Sequence, residues 1–218
     1  MPKSKLIAVY GGTFDPVHCG HITVARRLLE VFSLDEFVFL PAFHAPHKPD
    51  NKPTSAYHRF AMLALATKDE PRMSVSILEL AYGKKRYTVE TLPEILNVYA
   101  NSKVFFVMGA DSWKDITTWR DWEKVLLMTN HIVVTRPGYE IGFDHVNQAI
   151  RDRVIDLRQG AGSPEYEAGP QIYITDAVEL DVSATVIRDD IREDDRLDRD
   201  EDVPNEVAKY IEKYELYK

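Results

Sequence analysis

Apolar positions along the chain alternate between two periods. Leu6-Ile-Ala-Val-Tyr10 is a short apolar run rich in β-formers, and Ile22, Ala25, Leu28, Leu29 and Phe32 then recur at helical spacing. Phe37-Val-Phe-Leu40 reads as a second buried strand closed by Pro41, and Tyr57–Lys68 as a helix. Met73–Leu80 has the alternation of a strand, and Tyr87 to about Tyr99 that of a helix. That helix opens either at Thr88 or at a capping box of Thr91 and Glu94. Lys103-Val-Phe-Phe-Val-Met108 is the clearest buried strand in the chain. A helix from Trp122 to Met128, a strand His131–Thr135, a helix Asp144–Val154, a strand Gln171–Thr175 and helices opening at Val182 and Pro204 complete the series. Gln159–Pro170 reads as a surface loop.

Strands that alternate with helices predict an α/β fold, a doubly wound parallel sheet. At 218 residues the chain suits a single domain, 1–218, with a small C-terminal helical extension over 182–218. In such sheets ligands sit beyond the carboxyl ends of the strands. The loops 11–21, 41–56, 109–119 and 136–138 all leave strands at that end, and 182–188 begins a few residues after one. They are therefore expected to converge on one site.

Composition narrows the class without choosing the chemistry. Hydrophobic residues make up 44% and charged residues 28%. The net charge of −8 argues against general nucleic-acid binding, which leaves a basic footprint. No apolar run reaches membrane-spanning length, so a cytoplasmic enzyme is expected. The single cysteine, Cys19, forms no disulfide within the chain and is read as a space-filler, although a helix N-terminus can lower a thiol pKa. His44 and His47 lack the further ligands a zinc site needs.

The chemistry concentrates after the first strand, in Gly11-Gly-Thr-Phe-Asp-Pro-Val-His-Cys-Gly-His21. Gly11 and Gly12 allow positive φ and close approach of a ligand, and the helix that follows presents backbone N–H groups to an anion. His18 and His21, three apart, share a face of its first turn, and Gly20 between them keeps the surface low. Polyphosphate binding is the chemistry this implies. A second cluster, Ser183, Thr185 and Arg188, offers two hydroxyls and a guanidinium beside another helix start.

The Gly-Gly-Thr-Phe-Asp-Pro-x-His-x-Gly-His run resembles the signature of the His-x-Gly-His adenylyl- and cytidylyltransferases. Val182-Ser-Ala-Thr-Val-Ile-Arg188 is similar to their second signature, with Ala184 where a second serine is usual. Pro46-His47-Lys48, Tyr87-Thr88-Val-Glu-Thr91-Leu92, Gly109-Ala-Asp111 with Trp119, and Arg136-Pro-Gly138 resemble the bacterial nicotinate-nucleotide adenylyltransferases. The resemblance implies a Rossmann-like nucleotidyltransferase that moves AMP from ATP to nicotinate mononucleotide, releasing pyrophosphate. It implies that His18, His21, Lys48 and Arg188 act on the phosphates, with Gly11, Gly12, Thr13, Phe14, Ser183 and Thr185 completing the ATP site. Lys48, Thr88, Gly109, Asp111, Trp119 and Arg136 are implied at the mononucleotide. Which of Trp113, Trp119 and Trp122 stacks on the pyridine stays open. Mg²⁺ is expected on the substrate phosphates rather than in a protein cage. Nicotinamide mononucleotide as acceptor, phosphopantetheine adenylyl transfer and a silent nucleotide sensor are the alternatives, and monomer and homo-oligomer both stay open. The run 189–202, with nine acidic residues and three arginines, reads as a solvated face.

Overall fold

The computed structural model describes residues 4–44, 53–135, 141–158, 164, 166, 169–176, 182–194 and 202–218. Its centre is one sheet of β1 (Lys5–Gly12), β2 (Glu36–Pro41), β3 (Met73–Val75), β4 (Ser102–Gly109), β5 (Asn130–Val134), β6 (Val154–Asp156) and β7 (Ile172–Thr175). The strands lie in the order β3-β2-β1-β4-β5-β7-β6, and every neighbouring pair is parallel. The expected doubly wound α/β sheet is what the chain forms.

Side chains alternate across the strands and build two cores. On one face Leu6, Ala8, Phe37, Phe39, Phe105, Val107, Ile132 and Tyr173 meet α1 (Cys19–Val31), α2 (Ala56–Thr67), α8 (Ala184–Asp194) and α9 (Asn205–Lys213). On the other, Ile7, Val9, Val38, Val104, Phe106, Val133 and Ile174 meet α4 (Thr88–Val98), α5 (Ala110–Lys114), α6 (Trp122–Met128) and α7 (Gln148–Arg151). Both faces are covered, which is why the strands read as continuous apolar runs. The chain runs outward from β1 through β2 to β3, then returns to place β4 on the other side of β1. The switch point lies between β1 and β4.

Two segments depart from the sequence pattern. Met73–Leu80 is a strand only as far as Val75. Ser76 Oγ then accepts the Leu78 N–H, and α3 (Leu78–Tyr82) follows, ended by Gly83 in a left-handed C-cap at φ 60°. In Asp144–Val154 only Gln148–Arg151 is helical, capped by the Asn147 side chain on the Ile150 N–H. The chain then leaves the helix to pair β6 with β7, a sheet-edge hydrogen bonding that overrides a weak helical pattern. The α4 helix opens at Thr88, with Glu90 accepting the Tyr87 N–H, so the Thr91–Glu94 box is not the one used.

Candidate active site

A cleft of about 1080 Å³ opens at the carboxyl ends of β1 and β4, at the switch point. Gly11, Gly12, Thr13, Phe14, His18 and His21 line it from the first signature, and Ser183, Thr185 and Arg188 from the second. Thr88, Gly109, Asp111 and Trp119 line the same space. Thirteen of the fifteen expected site residues thus meet in one cleft. Lys48 and Arg136 lie outside the described residues, as do His47, Pro137, Gly138 and most of 159–170.

The glycines at the end of β1 serve packing rather than positive φ. Gly11 and Gly12 still belong to the strand. A Cβ on Gly11 would stand 2.9 Å from Phe106 Cζ, and one on Gly12 2.8 Å from Phe14 Cζ, distances real Cβ atoms do not reach. The left-handed residue of this loop is Phe14, at φ 51°. Its ring packs edge-on against Tyr10, Phe39 and His21.

His18 is the N-cap of α1, and its backbone N–H donates to His21 Nδ1 at 3.2 Å. That bond makes Nδ1 the unprotonated nitrogen of His21, so the neutral ring carries its hydrogen on Nε2. The two imidazoles lie with centroids 3.7 Å apart at 32°. A Cβ on Gly20 would fall 3.0 Å from His18 Nδ1, so that glycine makes room for the His18 ring rather than for a ligand. The end of α1 is also partly occupied from within the chain, because Cys19 N–H donates to the Asp202 carbonyl at 2.8 Å. Burial, then Asp202, raises the Cys19 thiol pKa, the opposite of activation by a helix terminus.

Across the cleft, Arg188 reaches from α8 to donate through Nη1 to the Asp15 carbonyl at 2.7 Å. Its other arm meets Thr185 Oγ1 at 3.3 Å. The second signature is therefore anchored on the first, 173 residues away in sequence.

The far end of the cleft is built from α3, α4 and the segment after β4. Thr88 is the first residue of α4, where the helix dipole favours an anion. One turn in, Thr91 Oγ1 donates to Glu79 Oε1 at 2.9 Å. Burial raises the Glu79 carboxyl pKa, opposed by the Thr91 hydroxyl and the Phe43 N–H. Arg86 lies over the Tyr82 ring and donates to Glu94 at 2.6 Å, which holds its guanidinium charged. Gly109 caps α5 and Asp111 follows in its first turn. Of the three indoles, Trp119 is the one at the cleft. Trp113 is buried with Nε1 donating to the Gly142 carbonyl, and Trp122 packs on the second core.

Three residues that line or brace the cleft carry no signal in the sequence strong enough to single them out. Arg59, fully buried in α2, donates to the carbonyls of Thr13, Ala42, Phe43 and Thr54. Asp15 lies inside the first signature, where nothing in the sequence sets it apart from its neighbours. Tyr217, next to last in the chain, lines the cleft from a region with no motif. A lone charge in an amphipathic helix and an aromatic in a tail are ordinary in sequence; only their carbonyl and carboxylate partners mark them. Among the described residues no group of three or more His, Cys, Asp or Glu is placed to hold a metal ion. No described helix is long and apolar enough to cross a membrane.

Comparison with known proteins identifies the family and the fold. The cytidylyltransferase-like family model matches residues 9–190. A probable nicotinate-nucleotide adenylyltransferase of Thermoanaerobacter sp. (strain X514) is 32% identical over 100% of this chain and 97% of its own length. One of Desulfatibacillum aliphaticivorans is 33% identical over 97% of this chain and 99% of its own. Among solved structures, the Plasmodium falciparum nicotinic acid mononucleotide adenylyltransferase complexed with NaAD superposes with a TM-score of 0.74. It is 20% identical over 98% of this chain and 97% of its own, a likeness of fold. On the extent and level of these matches, the chain belongs to the cytidylyltransferase-like family, among the nicotinate-nucleotide adenylyltransferases.

Proposed function

We propose that this chain transfers AMP from ATP to nicotinate mononucleotide, forming nicotinate adenine dinucleotide and pyrophosphate in NAD synthesis. One observation carries the reading. The paired imidazoles of α1, the Arg188 arm of α8 and the α4 N-terminus with Trp119 all line one cleft at the switch point. A triphosphate and an acceptor bearing an acidic aromatic ring need those two ends in a single space.

The attacking group is the phosphate of the mononucleotide, already an anion at neutral pH, so no general base is required. Catalysis rests on alignment for in-line attack and on stabilising charge as pyrophosphate departs. His21 Nε2–H and the His18 ring are the donors for the α-phosphate region, held in place by α1 and by their own stacking. Arg188 and Lys48 neutralise the departing pyrophosphate. A guanidinium has five N–H donors, so the bonds to Asp15 and Thr185 leave Arg188 able to grip phosphate as well. Ser183 and Thr185 add hydroxyl donors from the same helix start. At the other end, the N–H groups opening α4 around Thr88 receive the pyridine carboxylate, and Trp119 stacks on the ring.

A divalent cation, here Mg²⁺, neutralises phosphate charge when bound. The cleft fits an ion carried by the substrate, because the buried Asp15 carboxylate is engaged by Tyr217 and by the Thr54 N–H. Phosphate oxygens and water would supply its ligands.

The test is pyrophosphate release from Mg-ATP with nicotinate mononucleotide and, separately, nicotinamide mononucleotide. Strong preference for the acid is expected. Equal rates would remove the carboxylate site from Thr88, and silence with both would reject the acceptor altogether.

A further inference from the structure

The last residues of the chain reach the cleft although no motif points there. After α9 the tail turns back through two bulky residues in the left-handed region, Glu215 at φ 50° and Tyr217 at φ 72°. Such conformations are rare for side chains of this size and persist where the surroundings over-determine them. Leu216 N–H donates to the Ile211 carbonyl, and the Leu216 and Tyr217 side chains pack on the first core. The Tyr217 hydroxyl then donates to Asp15 Oδ1 at 2.8 Å. Burial, with the carboxylate next in weight, holds that phenol far above its ordinary range, so it remains a donor throughout physiological pH.

Asp15 is where this contact gains a consequence. It is only 9% exposed and sits in the loop between Phe14 and Pro16. Its Oδ2 accepts the Thr54 N–H at 3.1 Å, and its backbone carbonyl accepts Arg188 Nη1. Arg59 closes the same hub from the protein side. Its Nη1 donates to the Thr13 carbonyl at 2.6 Å, its Nε to Thr54 at 2.9 Å and its Nη2 to Ala42 at 2.6 Å. The nucleotide loop, the chain on either side of 45–52, the Arg188 arm and the tail are therefore joined through two buried residues, Asp15 and Arg59, that hold the same loop by separate hydrogen bonds.

We propose that Tyr217 is a positioning residue of the nucleotide end of the cleft. Its hydroxyl fixes the Asp15 carboxylate, and through it the loop that leads to His18 and the carbonyl that anchors Arg188. The inference rests on the adenylyl-transfer reading above. Without the hydroxyl, one carboxylate oxygen loses its buried donor, and Asp15 is left to turn with the loop. Misplacement of charge-stabilising groups by a fraction of an ångström is enough to slow an in-line transfer.

The test is Tyr217→Phe, which keeps the ring and its packing. Its ATP affinity is read by titration calorimetry and its turnover by pyrophosphate release. The dissociation constant for ATP is expected to rise roughly 3–10-fold and kcat to fall roughly tenfold, the scale of one hydrogen bond to a charged group. The KM for nicotinate mononucleotide stays at the wild-type value, and the Tm falls by no more than the loss of one buried hydrogen bond implies. Asp15→Asn keeps an acceptor for the Thr54 N–H and can meet the Tyr217 oxygen by a reversed bond in which its amide donates, so it should retain more activity than Asp15→Ala. Wild-type ATP affinity and kcat in Tyr217→Phe overturn the proposal. So does an equal rise in both KM values, which would make Tyr217 a packing residue. If the unaltered chain binds ATP yet releases no pyrophosphate with either acceptor, the acceptor reading fails and calorimetry still decides Tyr217. An unaltered chain that binds no ATP overturns both.

Discussion

The two ends of the cleft are held by different kinds of bonds. At the nucleotide end the ties are long-range: Arg59 to Thr13 spans 46 residues, Arg188 to Asp15 173, and Tyr217 to Asp15 202. At the acceptor end they are mostly local: Tyr87 to Glu90 spans 3 residues, Arg86 to Glu94 8, and Glu79 to Thr91 12. The acceptor end is thus shaped largely within one helical hairpin of chain, whereas the nucleotide end exists only once α2, α8 and the segment after α9 have folded onto the loop that follows β1. Changes at the first should disturb binding of one substrate. Changes at the second should spread to turnover, because the same ties place the groups that meet the transition state.

The largest effect belongs to the imidazole pair. His21→Ala, or His18→Ala, is expected to lower kcat by about 10²–10⁴-fold with the circular dichroism spectrum unchanged, the scale of losing a preorganised donor. A fully active His21→Ala enzyme would remove the nucleotide end from the chemistry and the contrast with it.

Next is Arg188→Ala, which loses a phosphate partner and frees the Asp15 carbonyl together. A drop of roughly 10²-fold in kcat/KM for ATP is expected, with the KM for the acceptor moving by less than about threefold. Steady-state kinetics with each substrate varied in turn reads both. Equal damage to the two KM values would mean that the ends are coupled.

Trp119→Ala probes the local end. Loss of one aromatic stack predicts an acceptor KM raised roughly 3–10-fold, with the KM for ATP and kcat within a factor of about two. A large fall in kcat would break the distinction between binding at one end and alignment at the other.

The smallest effect on activity, and the clearest on stability, is expected at His131, which touches neither end. It is fully buried on β5, its Nδ1–H donates to the Thr129 carbonyl, and burial lowers its pKa to about 4. The unfolded chain, with an imidazole near 6.5, therefore binds the proton that the folded chain resists. Stability is full above pH 6.5 and falls as pH drops toward 4, by about 3 kcal/mol over that window. His131→Leu should flatten the change in Tm between pH 7.5 and pH 5 while kcat at pH 7.5 stays at the wild-type value. An unchanged acid slope would assign the sensitivity elsewhere.

Much of this molecule could be read before its structure. The strand runs from Leu6, Phe37, Lys103, His131 and Gln171 are buried on both faces, so burial alone writes them as apolar blocks. Parallel order follows from their alternation with helices. The two phosphate signatures were legible for a related reason: each packs its functional groups into about seven to eleven consecutive residues at a strand or helix end, so spacing itself carries the geometry. The short pieces failed. At Ser76–Tyr82 and at Val154–Asp156 the pattern spans too few residues to choose a period, and a serine cap, a glycine at φ 60° and a free sheet edge decided instead.

The sequence by itself determined the sheet, its parallel sense and the two signatures that face one another across the cleft, because period and local spacing are properties of neighbouring residues. Only the tertiary structure decided what Gly11, Gly12 and Gly20 are for, since the Phe106, Phe14 and His18 rings that crowd them are placed by packing and not by any nearby residue. It alone decided that Trp119, and not Trp113 or Trp122, faces the cleft. It alone brought Tyr217 to the Asp15 carboxylate, Arg188 to the Asp15 carbonyl and Arg59 to the Thr13 carbonyl, because buried polar groups take their hydrogen-bond partners from whatever segments the fold brings within reach, however far apart they stand along the chain.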